Sequence, residues 1–116
     1  MSIGALLVGA VSGIAPVFPK VYTGPEDHYF VYDITDDRGD DWGDDIPDKI
    51  HYWIRLNYYY PMGENQTSMR NRVRNLLHEA GFSFASIISL SDPDNGMDGL
   101  SWECDIVVAE SEESNG

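Results

Sequence analysis

The sequence predicts one α+β domain of two layers, a mainly antiparallel sheet of four to five strands with two helices packed on it. Apolar residues recur at helical spacing in two segments, residues 3–14 and 64–80. Aromatic and β-branched residues concentrate in short segments that read as strands. The resulting order, α-β-β-β-α-β-β, sets the last two strands as a hairpin behind the second helix. A chain of 116 residues has the size of one folded unit. That unit is assigned to residues 1–110, with an acidic disordered tail at 111–116.

Ile3, Leu6, Leu7, Ala10, Val11 and Ile14 make the first helical stripe. Ser2 can cap its start, and Gly13 with Pro16 can end it. Gly4 and Gly9 each weaken it by roughly 1 kcal/mol relative to Ala, so it depends on packing. Residues 17–23 are short and apolar, closed by the turn signal Gly24-Pro25. Residues 28–34, HYFVYDI, read as a strand. Residues 49–60, KIHYWIRLNYYY, are the clearest strand. Ile50, Tyr52, Ile54, Leu56, Tyr58 and Tyr60 point one way; His51, Trp53, Arg55, Asn57 and Tyr59 point the other. Aromatics on both faces predict a central strand, covered at least partly on both sides. Met69, Val73, Leu76, Leu77 and Ala80 form the stripe of the second helix, and Gly81 stands where a C′ glycine belongs. Residues 82–90 are a further strand, 91–99 a turn-rich connection. Residues 100–109 close the fold, with Leu100, Trp102, Cys104, Ile106 and Val108 on one face.

Twenty acids against seven bases give a net charge of −13. That argues against a phosphate-binding surface, since nucleic-acid affinity rests on Lys and Arg releasing counterions, and against adsorption to anionic membranes. The apolar N-terminus lacks a basic n-region and is too short and glycine-rich to span a bilayer, so a soluble intracellular protein is expected. One cysteine, Cys104, excludes an internal disulfide and a Cys-rich zinc site. Its place on an apolar strand face predicts an inert thiol.

The charge is unevenly spread. Residues 33–48 hold eight aspartates, with Arg38 the only base among them. Asp propensity and like-charge repulsion predict an exposed loop there. Its order, DDRGDDWGDD, does not match a calcium loop, and solvated carboxylates explain it more simply. Asp92, Asp94, Asn95, Gly96 and Asp98 resemble the first half of such a loop, but the bidentate glutamate is missing and Glu103 is off register. His28, His51 and His78 lie on three different elements, and no spacing brings them together for acid–base work. His78 has a sufficient structural role near a helix C-terminus. Serine-nucleophile, phosphate-loop and dinucleotide motifs are absent. No catalytic residue, metal ligand or cofactor is therefore assigned.

Three of the seven bases, Arg70, Arg72 and Arg74, sit on the second helix. A solvated helix face accounts for them; the sharper reading is a basic patch that meets the acidic loop of a neighbouring copy. Trp53, Tyr58, Tyr59 and Tyr60 supply aromatic surface suited to interfaces, with core filling the plainer role, above all for Tyr58. The candidate interface between copies is thus Arg70, Arg72, Arg74, Trp53 and Tyr59, and the candidate acidic loop is Asp36, Asp37, Asp40, Asp41, Asp44 and Asp45.

The segments HYFVYDI, IPDKI, IHYWIRLNYYYP, LLHEAGF and LSWECDIVV, in that order after an N-terminal helix, resemble the tail terminator proteins of long-tailed bacteriophages, also described as tail-to-head joining or tail completion proteins. The likeness covers about residues 3–109 and rests on element order and size rather than on a catalytic signature. It implies a structural virion protein of small α+β fold and no enzymatic activity. Such proteins form a homo-hexameric ring on the tail tube, stop its polymerisation and present the head-joining surface. The implied partners are further copies, the tail tube protein and a head-completion or neck protein; DNA passes through the lumen without specific binding. The implied location is the phage tail, assembled in host cytoplasm. On that likeness Arg70, Arg72, Arg74, Trp53 and Tyr59 would face a neighbouring subunit or the tube, and the acidic loop the lumen or tube, where carboxylates would repel phosphate and let a duplex slide. The rival readings are a small acidic DNA mimic that inhibits a nucleic-acid-binding protein, another head–tail neck protein, and a metal-dependent enzyme.

Overall fold

A computed structural model describes residues 2–44 and 46–109, with the backbone alone at 40–44 and 46–48. Helix α1 is Ile3–Val11, strand β1 Val17–Pro19, β2 Tyr29–Asp44, β3 Ile46–Pro61, helix α2 Met69–Glu79, β4 Ser86–Asp92 and β5 Met97–Ala109. The five strands form one sheet in the order β1-β2-β3-β5-β4. Only the β1–β2 pair is parallel. Two helices on this mostly antiparallel sheet make the α+β fold that the sequence predicts.

Both helices pack on one face. Ile3, Leu7 and Val11 of α1 and Met69, Val73 and Leu77 of α2 are buried. They meet Phe30, Ile54, Leu56, Tyr58, Leu100 and Trp102 from the sheet. The Ser2 hydroxyl accepts from Ala5 N at 3.1 Å and caps α1. Gly81, at φ +107°, closes α2 in a Schellman turn, with Phe82 N donating to Leu77 O and Gly81 N to His78 O. The fully buried Trp102 donates its indole N–H to Arg70 O at 3.0 Å, pinning α2 to β5.

The largest departure from expectation is at residues 33–48. Residues 33–44 and 46–48 are not a loop: they extend β2 and β3, with pairing from Asp33↔Arg55 out to Asp44↔Ile46. Antiparallel pairing with a strand as long as β3 outweighs the poor strand propensity of Asp. A strand of 16 residues is roughly 50 Å long at about 3.3 Å per residue, which accounts for the longest dimension of 53 Å. A register shift between Ile34 and Asp36 leaves Thr35 as the extra residue, its hydroxyl donating to Trp53 O at 3.2 Å. Asp45 and residues 110–116, the tail included, lie outside the described residues.

Strand β3 is central, as expected, but the helices cover only one of its faces. Ile54, Leu56, Tyr58 and Tyr60 are buried, Trp53, Asn57 and Tyr59 half-buried and Arg55 exposed. Smaller differences fall at the ends. Helix α1 stops at Val11. Turns precede α2, with Asn65 Oδ1 accepting from Thr67 N. Strand β5 starts at Met97, inside the segment read as turn.

Candidate functional site: the open face of the sheet

The face away from the helices carries a row of aromatic side chains. Phe18, Tyr22, Tyr29 and Tyr59 form an aromatic row. Phe18 stacks on Tyr22 with ring centroids 3.9 Å apart, Tyr22 meets Tyr29 at 4.9 Å and Tyr29 meets Tyr59 at 5.4 Å. The row depends on a tight turn after β1. Lys20, at φ +63°, adopts the left-handed conformation uncommon for a residue with a Cβ. Its N–H bonds Tyr32 O, Val21 N bonds Pro19 O, and the chain returns so that Tyr22 lies over Phe18. Gly99, opposite Tyr59, leaves room for that ring. A Cβ there would stand 2.9 Å from Tyr58 O and 3.2 Å from Tyr59 Cδ1.

Beside the row is a cleft of about 500 Å³, lined in part by Tyr22, Tyr29, Tyr59, Asn57, Glu26 and Asp92. Burial, and then the neighbouring Tyr59, raise the Tyr29 phenol above its ordinary range. Asn57 donates its Nδ2 to Tyr59 Oη at 3.4 Å. Its Oδ1 is buried without a donor, and so is the Oγ of its cross-strand neighbour Ser101.

Further along the same face, the indole of Trp53 stacks on His51 at 3.8 Å. Arg38 lies over it at 5.4 Å and pairs with Asp36 at 2.9 Å. The bulge at Thr35 shifts Asp36 and Arg38 into register with Trp53 and His51. Arg55 pairs with Glu103 at 2.9 Å.

Three clusters gather the histidines with polar partners. Asp105 lies between His51 Nε2 and Ser83 Oγ, each at 2.5 Å. A nucleophilic serine needs a histidine to take its proton; here the carboxylate takes both contacts and Ser83 donates to it. The Ser83 and His51 bonds hold the Asp105 carboxyl below its ordinary range. His28 has a carboxylate on each ring nitrogen, Asp27 at 2.9 Å and Glu64 at 2.7 Å. The bond to Glu64, then that to Asp27, raises its pKa. His78 Nδ1 meets Phe82 O at 3.2 Å. The Cys104 thiol is pushed up to about 12 by burial. Among the described residues no group of three or more His, Cys, Asp or Glu side chains is placed to hold a metal. The stretch from Asp92 to Asp98 is a 3₁₀ turn, Pro93–Asn95, leading into β5, with Asn95 Nδ2 donating to Asp92 Oδ2.

The candidate residues therefore divide between the two faces. Trp53 and Tyr59 lie on the open face, with Asp36 beside Trp53. Arg70, Arg72 and Arg74 lie on α2, across the sheet. Arg70 Nη1 reaches Ser89 Oγ at 3.4 Å. Arg74 lies over Phe84 at 4.8 Å and donates to Asn71. Arg72 is exposed. Asp37 is exposed on β2. Asp40, Asp41 and Asp44 belong to β2 by backbone, their side chains outside the described residues along with Asp45. Nothing in the sequence singles out Phe18, Tyr22 and Tyr29. Their meeting depends on the register of β1 and β2 and on the turn at Lys20.

The fold and this face define a small two-layer α+β domain with one covered and one open sheet surface. No protein-family model matches the chain, and no curated protein matches its sequence. No helix among the described residues is long and apolar enough to cross a membrane.

Proposed function

We propose that this protein is a structural subunit of a phage tail terminator ring. Copies join head to tail, six in the virion, and the ring caps the tail tube, stops its polymerisation and offers the surface that joins the head. The observation that carries this reading is the division of charge between opposite sides of one subunit. Arg70, Arg72 and Arg74 lie on the helix layer, while Asp33 and Asp36 lie exposed on the open face of β2, in register with Arg55 and Trp53 of β3. Such a molecule is complementary to its own copy through two different surfaces, and contacts of that kind close into rings. The aromatic open face supplies residues enriched at interface centres. A carboxylate-rich hairpin at the lumen would keep a duplex sliding by repulsion.

One observation favours the DNA-mimic alternative. A mimic needs carboxylates on a rigid frame, and the acidic segment is strand rather than loop, with Asp33 and Asp36 in register with Arg55 and Trp53 of β3. Electron microscopy of the purified protein, with mass measured across concentration, separates the two. Closed rings of one size support the terminator reading. A monomer that competes with DNA for a basic protein supports the mimic and overturns the ring.

A further inference from the structure

We propose that the tyrosine cleft of the open face is a guanidinium site, and that its occupant is Arg72 from α2 of a second copy. The inference rests on the ring reading and names the contact that would close it. Tyr22, Tyr29 and Tyr59 line the cleft together with Glu26 and Asp92, and Lys20 is the one base among its lining residues. Aromatic faces beside carboxylates suit a cation, and a planar guanidinium stacks on such rings better than an ammonium does. Asn57 Oδ1 adds a buried acceptor without a donor beneath. The molecule already uses this chemistry twice, with Arg38 over Trp53 at 5.4 Å and Arg74 over Phe84 at 4.8 Å.

Of the three α2 arginines, Arg70 reaches Ser89 and Arg74 is held by Asn71 and Phe84. Arg72 is exposed and makes no side-chain hydrogen bond or ion pair among the described residues. Helix α2 packs on the covered face and the cleft opens on the other, so a chain cannot fill its own cleft with Arg72. The contact must run from one copy to the next, joining two different surfaces, which is the geometry of a ring or a filament.

Two measurements on the full chain test it. The first titrates the wild-type protein with N-ethylguanidinium chloride, followed by NMR, against sodium chloride at matched ionic strength. Shifts concentrated at Tyr22, Tyr29, Tyr59 and Asn57 are expected; shifts spread over the acidic hairpin and absent from the cleft overturn the site. The second measures association by sedimentation for wild type, Arg72→Glu, Arg72→Lys and Tyr29→Leu. Arg72→Glu and Tyr29→Leu should each weaken association by roughly tenfold or more, and Arg72→Lys by less. Rings that form unchanged with Arg72→Glu overturn this contact and leave the ring reading standing. A wild type that stays monomeric overturns both, even where guanidinium occupies the cleft.

Discussion

Leu56 and Asn57 are neighbours on β3, yet they belong to different surfaces. Leu56 is fully buried under the helices. Asn57 faces the open side, with an amide oxygen that lacks a donor. The same division runs through the whole sheet. On the covered side, Phe30, Ile54, Trp102 and the helix residues satisfy one another within the chain. On the open side, Trp53 is stacked but half-exposed and Ile88 is 53% exposed. The first surface specifies the fold. The second leaves aromatic and charged groups open to solvent, and it is the surface on which the proposed contact between copies depends.

The largest expected effect lies on the covered side. Trp102→Ala removes the biggest buried side chain and its bond to Arg70 O, and should cost about 3–5 kcal/mol in urea unfolding. A loss below about 1 kcal/mol would mean that the two faces are not unequal in the way described. Gly99→Ala comes next, because the added methyl meets Tyr58 O at 2.9 Å, a backbone atom with little freedom to move. It should destabilise by about 1–3 kcal/mol and disturb the NMR signals of Tyr59 and Tyr29. Trp53→Ala, on the open side, should cost under about 1 kcal/mol of monomer stability because the ring is not in the core, while association between copies falls. Equal losses in both measurements would make Trp53 a core residue.

The smallest effect is set by pH at His28. Its pKa is raised above the ordinary 6.5, first by Glu64 and then by Asp27. Stability from this group is therefore fully present below pH 6.5 and lost as pH rises through its folded value. Asp27 and Glu64 are lowered from 3.8 and 4.5, in each case first by the bond to His28. Their contributions are present above those values and lost as pH falls through the folded ones. The clip between the start of β2 and the turn before α2 is thus strongest between about pH 4.5 and 6.5. His28→Ala should narrow the stability difference between pH 6 and pH 8.5. An unchanged difference would show that the clip contributes nothing.

The helices, the central strand and the C′ glycine are legible in the sequence because each carries a local signal: apolar spacing, strict alternation, a glycine after the last apolar turn. The acidic hairpin is not, because residue propensity judges each segment alone. A twelve-residue alternating segment at 49–60 already requires a neighbour of matching length, and residues 29–40 supply it, Asp33, Asp36, Asp37 and Asp40 among them. Their aspartates then have a plain physical role. Strand β1 covers β2 only at Phe30–Tyr32, so the rest of β2 borders the sheet, and charge along an edge resists unwanted strand addition. The tyrosine row lies beyond sequence reasoning for another reason. Tyr22 is in no strand, and its place over Phe18 follows from the backbone turn at Lys20.

The central claim is that one copy meets the next through two different surfaces of opposite charge. Sedimentation equilibrium of the wild-type protein at 0.1 M and 1 M sodium chloride tests it most directly, since the screening length falls from about 10 Å to about 3 Å between them. A closed assembly of fixed stoichiometry above two, strongly weakened at the higher salt, is the expected result. A monomer at every concentration, or a symmetric dimer indifferent to salt, would contradict it.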